Sequence, residues 1–407
     1  MQTDILPPYI SPADPGSFAW RTITERIPGI LQTLIAQSSF PQKARARLQI
    51  LKDEIENKQI TNPLERWKFD SRIFNQQEIE SWRRVFTEYE EHSWLDVPWY
   101  FAEAMFYFKL LCATGYYEPE TPMYLSDPFQ QNKDEELLNP EGGIQTAREV
   151  MGIINEKGRK TKAEEEILCA LIHFSLWGNQ IDLSNTDIVE RSRGNLLASR
   201  QENLLIDHSE KFQKKMIAGN QVDFVLDNSG TELVCDLLLA AAILRSGEKR
   251  RVVLHCKKAP FFVSDAMKKD VEKAIQAFCD EPVLSKLGQV LKEYIRQDRL
   301  ILKDHYFWNG PDHFTALPGD LRRQLSRSNL VCFKGDANYR RLLSDRKWRT
   351  GTNMEDIIEY FPTSSAVLRT LKSEIVVDIT KEQAKQVTAR DARWLVNGKW
   401  GIIRVCP

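Results

Sequence analysis

Polar side chains that could bind a cation follow two strongly apolar segments in the second half of the sequence. Asp227 and Asn228 come directly after the run VDFVL, and Asp265 follows RVVLHC and a short apolar loop. Carboxylate and amide oxygens are the ligands that hard divalent cations prefer. Such a site could polarise a phosphoryl oxygen and lower the pKa of a water for attack on phosphorus. This pattern therefore favours a metal site with room for water and substrate.

Further polar side chains follow two other apolar runs. Asp304 and His305 follow RLILK, and the segment Lys334 to Arg340 follows LVCF. Lysine and arginine match the oxygens of a phosphate group. Taken alone, Asp-Asn-Ser-Gly is more often a turn or a helix cap, and Lys334 to Arg340 is equally a turn followed by a solvated helix. Only convergence of these segments favours metal-assisted hydrolysis of a phosphate ester.

The spacing of apolar residues predicts the elements that would bring these side chains together. VDFVL, RVVLHC, RLILKD, LVCFKG and EIVVDI are strand candidates that alternate with amphipathic helical patterns. That alternation predicts an α/β fold with a doubly wound, mostly parallel sheet, which binds ligands beyond the carboxyl ends of its strands. In the tail WLVNGKWGIIRV, Asn397-Gly398 separates two apolar runs. We therefore predict a C-terminal antiparallel hairpin at the sheet edge.

The first half of the sequence is predicted to be helical. From Ser17 to about residue 183, apolar residues recur at three- and four-residue spacing. Ser17 is a candidate N-cap, Phe101 to Leu111 a buried aromatic helix, and Tyr117 to Gly143 a long loop. Glu103 lies within the aromatic helix, where a carboxylate is costly to bury without a partner, so it is a candidate for a site facing the sheet.

These signals divide the chain into two predicted parts. Residues 1–185 form a mainly helical N-terminal subdomain, and residues 186–407 form an α/β domain that binds metal and substrate. We find no internal repeat and no low-complexity segment that would indicate another organisation.

Composition bounds the class of protein. Lys plus Arg number 56 against 57 Asp plus Glu in 407 residues, so the charge balance favours neither a nucleic acid nor an anionic membrane as partner. No stretch approaches the roughly 20 apolar residues of a membrane span, and the start lacks the pattern of a signal peptide. The 7 cysteines contain no CxxC pair, which gives a zinc cluster no support. We expect a cytoplasmic protein; its protein partners are not readable from the sequence.

Short blocks spread over most of the chain carry a family resemblance. They are Ser17-Phe18-Ala19, Trp99 to Glu103, Leu176-Trp177-Gly178-Asn179 with Asp182-Leu183-Ser184, Asp227-Asn228-Ser229-Gly230, Lys334-Gly335-Asp336 with Asn338-Tyr339-Arg340, and Arg369-Thr370-Leu371-Lys372. In order and spacing these blocks resemble the metal-dependent damage-control phosphatases, specifically the branch that acts on fructose phosphates and related sugar phosphates. The last block matches the Arg-Thr-x-Lys signature of that branch.

The resemblance implies a function and a set of site residues. It implies that Asp227, Asn228 and Asp265 hold the metal, which in this family is manganese, cobalt, nickel or magnesium, and that they act in catalysis together with Lys372. The substrate pocket would be lined by Asp336, Asn338, Tyr339, Arg340 and Lys372, with Arg369 and Glu103 close by. Lys372 would neutralise phosphoryl oxygens in the transition state. The substrate would be fructose 1-phosphate, fructose 6-phosphate or a related damage metabolite.

Two positions depart from the pattern of that branch. Ala337 stands in the Asp-x-Asn-Tyr-Arg string where leucine is usual, which should alter packing more than polar contacts. After Glu103 the chain reads AMFYFK in place of a tyrosine-rich string that ends in arginine. The second departure bears on substrate preference.

Two other functions compete with hydrolysis. A carboxyl methyltransferase that uses S-adenosylmethionine would normally need a glycine-rich turn after the first strand, whereas the Asp227 segment offers one glycine and a carboxylate. A non-catalytic sensor of sugar phosphate or metal would bind through the same polar residues without turnover. Phosphate release with and without a chelator separates the sensor from the phosphatase.

Overall fold

The structure, a computed structural model, describes residues 6–57, 59–65, 69–158, 163–178 and 202–407. Within these ranges the first half is helical and strands begin at residue 204. The predicted block Asp182-Leu183-Ser184 and the predicted domain boundary at residue 185 lie outside the described residues, so the division into two parts stays a prediction.

The predicted helical half is confirmed, and Ser17 is the N-cap of its first helix. The Ser17 hydroxyl accepts a hydrogen bond from the Trp20 N–H at 3.0 Å, which satisfies one of the free donors at a helix start. The helices are α1 (Phe18–Arg21), continued by a π-helical turn (Thr22–Arg26), α2 (Ile27–Ala36), α3 (Gln42–Glu56), α4 (Gln76–Tyr89), α5 (Trp99–Thr114), α6 (Gln130–Leu138), α7 (Gly143–Gly158) and α8 (Ala163–Trp177).

The segment predicted as a long loop contains a helix. α6 occupies Gln130–Leu138 within the stretch from Tyr117 to Gly143. Proline and asparagine flank this helix and suggested a loop, but the buried Lys133 and Leu137 hold one face of α6 against the protein. Tertiary packing here overrides a weak local pattern.

Within the described residues, seven strands form one mixed sheet. They are β1 (Leu204–Asp207), β2 (Gln221–Val225), β3 (Arg251–Cys256), β4 (Leu300–Asp304), β5 (Leu330–Lys334), β6 (Ser365–Thr370) and β7 (Gly401–Cys406), in the spatial order β1-β7-β6-β5-β2-β3-β4. The strands from β6 to β4 in that order are parallel neighbours, whereas β7 pairs with β6 in antiparallel fashion. Four of the predicted strand runs coincide with β2, β3, β4 and β5.

Helices cover both faces of this sheet, as the α/β prediction requires. In the second half these are α9 (Ser209–Ala218), α10 (Gly230–Arg245), α11 (Lys268–Asp280), α12 (Ser285–Arg296), α13 (Gly319–Leu325), α14 (Gly335–Leu342), α15 (Met354–Ile357) and α16 (Lys381–Arg390). Successive strand residues point to opposite faces. In β5, Leu330 and Cys332 join the core beneath α10 and α11, while Val331 and Phe333 join the core beneath α14.

The run EIVVDI is not a strand, which corrects that prediction. The strand in this region is β6, which ends at Thr370. Ile375 and Val377 are buried in the following loop, where side chains satisfy the backbone: Arg369 donates to the Ile375 carbonyl at 2.7 Å, and the Val377 N–H donates to the Tyr339 hydroxyl at 3.2 Å. Apolar β-branched residues can thus fill a core from a loop.

The C-terminal antiparallel pair is confirmed, but the Asn397-Gly398 hairpin at the sheet edge is wrong. The first apolar run, around Trp394, is a turn, and β7 pairs instead with β6, thirty residues earlier. β7 also lies between β1 and β6 and not at the edge. Gly398 has φ 76° and its N–H donates to the Leu371 carbonyl at 2.8 Å. The Asn-Gly signal therefore marks a turn that packs against the end of β6.

A separate core holds the N-terminal helices together. It contains apolar residues of α2, α3, α4 and α5, and is joined by Ala259 and Phe261 from the loop after β3. α5 is buried along its entire length. Trp99, its first residue, belongs to the core beneath α14. α5 therefore links the helical half to the loops at the carboxyl ends of the strands.

Candidate functional site

The segment after β2 places Asp227 and Asn228 at the carboxyl end of a central strand. β2 is buried on both faces, with Asp223 paired with His255 at 2.8 Å on one of them, and the buried chain continues through Leu226, whose N–H donates to the His255 carbonyl at 3.1 Å. Gly230, at φ 66°, then turns the chain into α10. Asp227 and Asn228 are only partly buried, so this end of the strand is open to solvent.

The loop after β3 brings Asp265 to the same place. Asn228 and Asp265 form an isolated antiparallel bridge. The Ala266 N–H donates to the Asp227 carbonyl at 2.8 Å, and the Ser229 N–H donates to the Ser264 carbonyl at 2.6 Å. The structure therefore brings the three predicted metal ligands together on two adjoining backbone segments.

The carboxylate of Asp265 is buried without a hydrogen-bond partner in the part of the chain that the structure describes. Asp265 is 1% exposed, and neither its Oδ1 nor its Oδ2 receives a hydrogen bond from a described residue. Burial raises the pKa of Asp265 to about 6, although the charges of Lys257 and Lys133 oppose this. An ionised group in such a place normally has a counter-ion or several donors. A cation is therefore the partner that this carboxylate lacks.

The carboxylate of Asp227 is also in a place where its negative charge is poorly compensated. Burial of its carboxylate raises the pKa of Asp227 well above its ordinary value, and the charges of Glu232 and Asp265 raise it further, while Lys257 and Lys372 oppose them. Glycine is required opposite this side chain, because a Cβ on Gly335 would stand 1.9 Å from Asp227 Oδ2, and Gly335 has φ 80°. The start of α14 consequently approaches the Asp227 carboxylate directly.

The donor set fits a hard divalent cation. Asp227, Asn228 and Asp265 offer only oxygen ligands, and the two carboxylates supply negative charge where it is poorly compensated. No three histidine, cysteine, aspartate or glutamate side chains have the spacing of a metal site within the described residues. A cation at this position would therefore use the amide oxygen of Asn228 beside the two carboxylates.

Asp336 anchors the loop that carries Lys372. Its Oδ1 accepts hydrogen bonds from Arg369 Nε at 2.7 Å, from the Lys372 N–H at 3.1 Å and from Ser373 Oγ at 3.0 Å. Burial alone would raise the pKa of Asp336, but the charges of Arg369 and Arg340 hold it below its ordinary value. The Lys372 side chain is exposed and its charge acts on Asp227. A fixed backbone thus presents a solvent-facing cation beside the candidate metal ligands.

Asn338 and Tyr339 are buried side chains of α14 that contact the segments around the candidate site. Asn338 Nδ2 donates to the carbonyls of Val225, Leu226 and Lys334 at 3.3, 3.2 and 2.8 Å, which pins the end of β2 that bears Asp227. Tyr339 is fully buried, and the guanidinium of Arg369 lies 4.1 Å from its ring centroid. Contact of these side chains with a substrate stays a prediction.

Arg340 and Glu103 are partners of one another. Arg340 Nη1 lies 2.5 Å from Glu103 Oε2, and its Nε lies 2.8 Å from Asp345 Oδ1. The guanidinium also lies 3.4 Å from the centroid of the Trp99 ring. Burial raises the pKa of Glu103, and Arg340 opposes the rise. The partner that the buried Glu103 requires is therefore Arg340, which joins α5 to α14; their role towards a substrate stays a prediction.

The sequence analysis did not predict a buried cluster of charged side chains next to Asn228. Lys334 Nζ lies 3.0 Å from Asp236 Oδ1 and 3.5 Å from Glu232 Oε1, and all three side chains are buried. Burial raises the pKa of Asp236 to about 6, while Lys334 opposes it. A usable signal was present: Glu232 and Asp236 stand four residues apart in the otherwise apolar GTELVCDLLLAAAIL, where carboxylates need partners.

Two further polar groups near the ligands were also missed. Lys133 on α6 donates to the Asp265 carbonyl at 2.7 Å, and Glu136, one turn later, accepts from the Thr231 N–H at 3.2 Å. Both groups lie on the segment that the sequence pattern marked as a loop. α6 therefore ties together the two backbone segments that bear the candidate ligands.

Fold and site together define an α/β protein whose oxygen ligands and cations meet at the carboxyl ends of a doubly wound sheet. The chain belongs to the family described as the damage-control phosphatase ARMT1-like domain, whose sequence profile matches residues 22–387. Membership supports a role as a metabolite phosphatase, that is, a hydrolase.

Relatives similar over nearly the full length bear the corresponding name. The damage-control phosphatase ARMT1 of Mus musculus is 31% identical over 434 residues, covering 98% of each chain. The protein of the same name from Homo sapiens is 31% identical, again with 98% of each chain covered. That of Danio rerio is 28% identical over 98% of this chain and 97% of its own. Among solved structures, a DUF89 family protein from Pyrococcus horikoshii matches with a TM-score of 0.49 and 13% identity over 94% of this chain and 96% of that one.

Among the described residues, the helices are all too short or too polar to cross a membrane.

Proposed function

We propose that this chain is a divalent-metal-dependent phosphatase that hydrolyses small sugar phosphates such as fructose 1-phosphate and fructose 6-phosphate. The observation that carries the proposal is the meeting of Asp227, Asn228 and the unpartnered carboxylate of Asp265 beside the exposed Lys372. Family membership supplies the reaction class, and the blocks of the sugar-phosphate branch in the sequence support the substrate.

The roles of the side chains follow from their positions. Asp227, Asn228 and Asp265 would hold manganese, cobalt, nickel or magnesium, which when bound supplies Lewis acidity towards a phosphoryl oxygen and a water. Lys372 would bind the phosphoryl oxygens as charge moves onto them, which preorganised cations favour. A bond from water to phosphorus forms, and the bond from phosphorus to the sugar oxygen breaks. Asp336, through its three hydrogen bonds, keeps the Lys372 segment in place.

Phosphate release tests the proposal. The purified chain is stripped with a chelator, then assayed on fructose 1-phosphate, fructose 6-phosphate and other sugar phosphates with each of the four metals. We expect release only after a metal is restored. Asp227→Ala should abolish turnover with the fold retained, and Lys372→Ala should lower kcat/KM about 100-fold or more.

A matched control separates local from general effects. Lys214 is 79% exposed and pairs only loosely with Glu210 at 3.8 Å, so Lys214→Ala should leave turnover unchanged. Binding of a sugar phosphate without release under every metal would contradict catalysis and favour a sensor. Normal hydrolysis by Asp227→Ala would contradict the assignment of the metal ligands.

A further inference from the structure

The side-chain amide of Asn228 is held between two carboxylates. Its Nδ2 donates to Asp227 Oδ2 at 2.9 Å and to Glu232 Oε2 at 2.8 Å. A carboxylate only accepts hydrogen bonds, whereas an amide carries donors on nitrogen and acceptors on oxygen. Turning the amide by 180° would set its oxygen against both carboxylates. The nitrogen of Asn228 is therefore fixed on this side, and on the other side Oδ1 accepts a hydrogen bond from Ser264 Oγ at 2.5 Å, which leaves the second lone pair of this oxygen for a cation.

Glu232 is itself held in a single arrangement. Its Oε1 lies 3.5 Å from Lys334 Nζ, which also lies 3.0 Å from Asp236 Oδ1 and donates to Ser175 Oγ at 2.7 Å. The backbone of Glu232 is closely packed, since a Cβ on Gly178 would meet its Cα at 2.8 Å. The Glu232 carboxylate thus has one oxygen committed to Lys334 and the other to Asn228.

We propose that Glu232 is a positioning residue, which fixes the amide of Asn228 so that its oxygen, and not its nitrogen, is available to a divalent cation. The proposal rests on the proposed function in that Asn228 acts as a metal ligand. Glu232 is outside the predicted ligand set, and among the described residues its side-chain hydrogen bond to that set is the one from Asn228. Groups that orient a metal ligand typically contribute 10- to 100-fold to metal affinity.

Glu232→Gln tests this orientation with little change of shape. Glutamine has one acceptor oxygen, and both Lys334 Nζ and Asn228 Nδ2 would require it. With the oxygen on Lys334, the glutamine nitrogen would face the Asn228 nitrogen and favour the turned amide. We expect Glu232→Gln to weaken Mn²⁺ binding by 10- to 100-fold, measured from the electron paramagnetic resonance signal of free Mn²⁺ in a titration without substrate.

A double-mutant cycle separates orientation from charge. Asn228→Asp replaces the amide by a symmetric carboxylate, which offers an oxygen whichever way it faces. In that background Glu232→Gln removes the same negative charge but has no orientation to disturb. We expect the added substitution to change Mn²⁺ affinity less than about threefold there. An equal loss in both backgrounds would overturn the proposal in favour of a simple charge effect.

A matched control addresses general destabilisation. Glu54 also forms a largely buried ion pair with a lysine, Lys109, in the N-terminal helices, so Glu54→Gln should alter stability without altering Mn²⁺ affinity. If Glu232→Gln does not fold, as judged by circular dichroism, Glu232→Asp keeps the charge and shortens the reach, and it too should weaken Mn²⁺ binding.

The outcomes distinguish this proposal from the proposed function. If the natural chain binds Mn²⁺ and Asp227→Asn does not, while the Glu232 variants bind normally, only the positioning role fails. If the natural chain itself does not bind Mn²⁺ or any of the other three metals, the metal-dependent function fails and the positioning role fails with it.

Discussion

Replacement of Asp265 by asparagine should stabilise the metal-free protein relative to the natural chain, and this advantage should be lost when the metal is bound. The Asp265 carboxylate is buried, and no described residue donates a hydrogen bond to either of its oxygens. Asparagine has nearly the same shape and resembles the protonated acid in charge. The substitution therefore removes a buried charge without opening a cavity.

The magnitude follows from the pKa. Burial raises the pKa of Asp265 from 3.8 to about 6. A change of one in pKa corresponds to about 1.4 kcal/mol, so this change corresponds to about 3 kcal/mol. Because the folded protein binds this proton more tightly than the unfolded chain, the ionised carboxylate lowers the free energy of unfolding. The penalty is absent below pH 3.8, grows between pH 3.8 and about 6, and is complete above that.

The assay is urea denaturation at pH 7.5, followed by circular dichroism, with chelator and again with Mn²⁺. With chelator, Asp265→Asn should be more stable than the natural chain by up to about 3 kcal/mol, and this advantage should disappear as the pH is lowered to about 4. With Mn²⁺ at about 100 times its dissociation constant, the natural chain should gain about 2.7 kcal/mol, and the variant little. The order of stability should therefore become equal or reverse.

The control is Asp304→Asn, at the carboxyl end of β4, where the side chain is 42% exposed and pairs with Lys268. It should change stability by less than about 0.5 kcal/mol in either condition. Our reasoning would be refuted if Asp265→Asn were as stable as, or less stable than, the natural chain in chelator at pH 7.5. In that case the carboxylate has partners that compensate its charge.

Three further substitutions probe α14. Gly335→Ala should lower kcat/KM at least about 100-fold and weaken Mn²⁺ binding, because the new Cβ would stand 1.9 Å from Asp227 Oδ2; unchanged values of both would contradict the close approach. Asn338→Ala should lower the free energy of unfolding by about 3 kcal/mol in urea, since the two N–H groups of this amide, which are shared among three backbone carbonyls, are lost, and a loss below about 1 kcal/mol would show that other donors replace it. Arg340→Lys should cost about 3–5 kcal/mol in the same assay, because lysine cannot span Glu103 and Asp345 together; a smaller loss would mean that one ion pair suffices.

Periodicity predicted the strands whose sequences are mainly apolar. β2, β3, β4 and β5 are short, mainly apolar runs bounded by polar residues, and the polar residues after β2 and β3 correctly indicated where Asp227, Asn228 and Asp265 meet. β6 was missed because SAVLRT mixes apolar with polar residues and carries the buried Arg369, whereas EIVVDI has strand-like composition but satisfies its backbone through side chains. Hydrogen bonds between segments distant in sequence have no local signature.

The same limit explains what was missed around the site. Composition can identify a carboxylate in an apolar helix as one that needs a partner, as for Glu103 and Glu232, but it cannot say which cation supplies it. Arg340 lies 237 residues from Glu103, and Lys334 lies 102 residues from Glu232. Only the fold shows which residues form these pairs. It also shows which charged side chains face solvent and which are buried in ion pairs that stabilise the protein.

α14 shows why that distinction matters for function. Its first residue, Gly335, has no side chain and so leaves space for the Asp227 carboxylate. Its Asn338 donates hydrogen bonds to the end of β2, the strand that precedes Asp227. Further along, Tyr339 and Arg340 join the helix to the loop after β6 and to α5. A substitution at Gly335 or Asn338 can therefore lower turnover by displacing Asp227, a candidate metal ligand, with no loss of a substrate contact. Metal affinity measured without substrate separates the two causes, because a residue that only touches the sugar phosphate leaves that affinity unchanged.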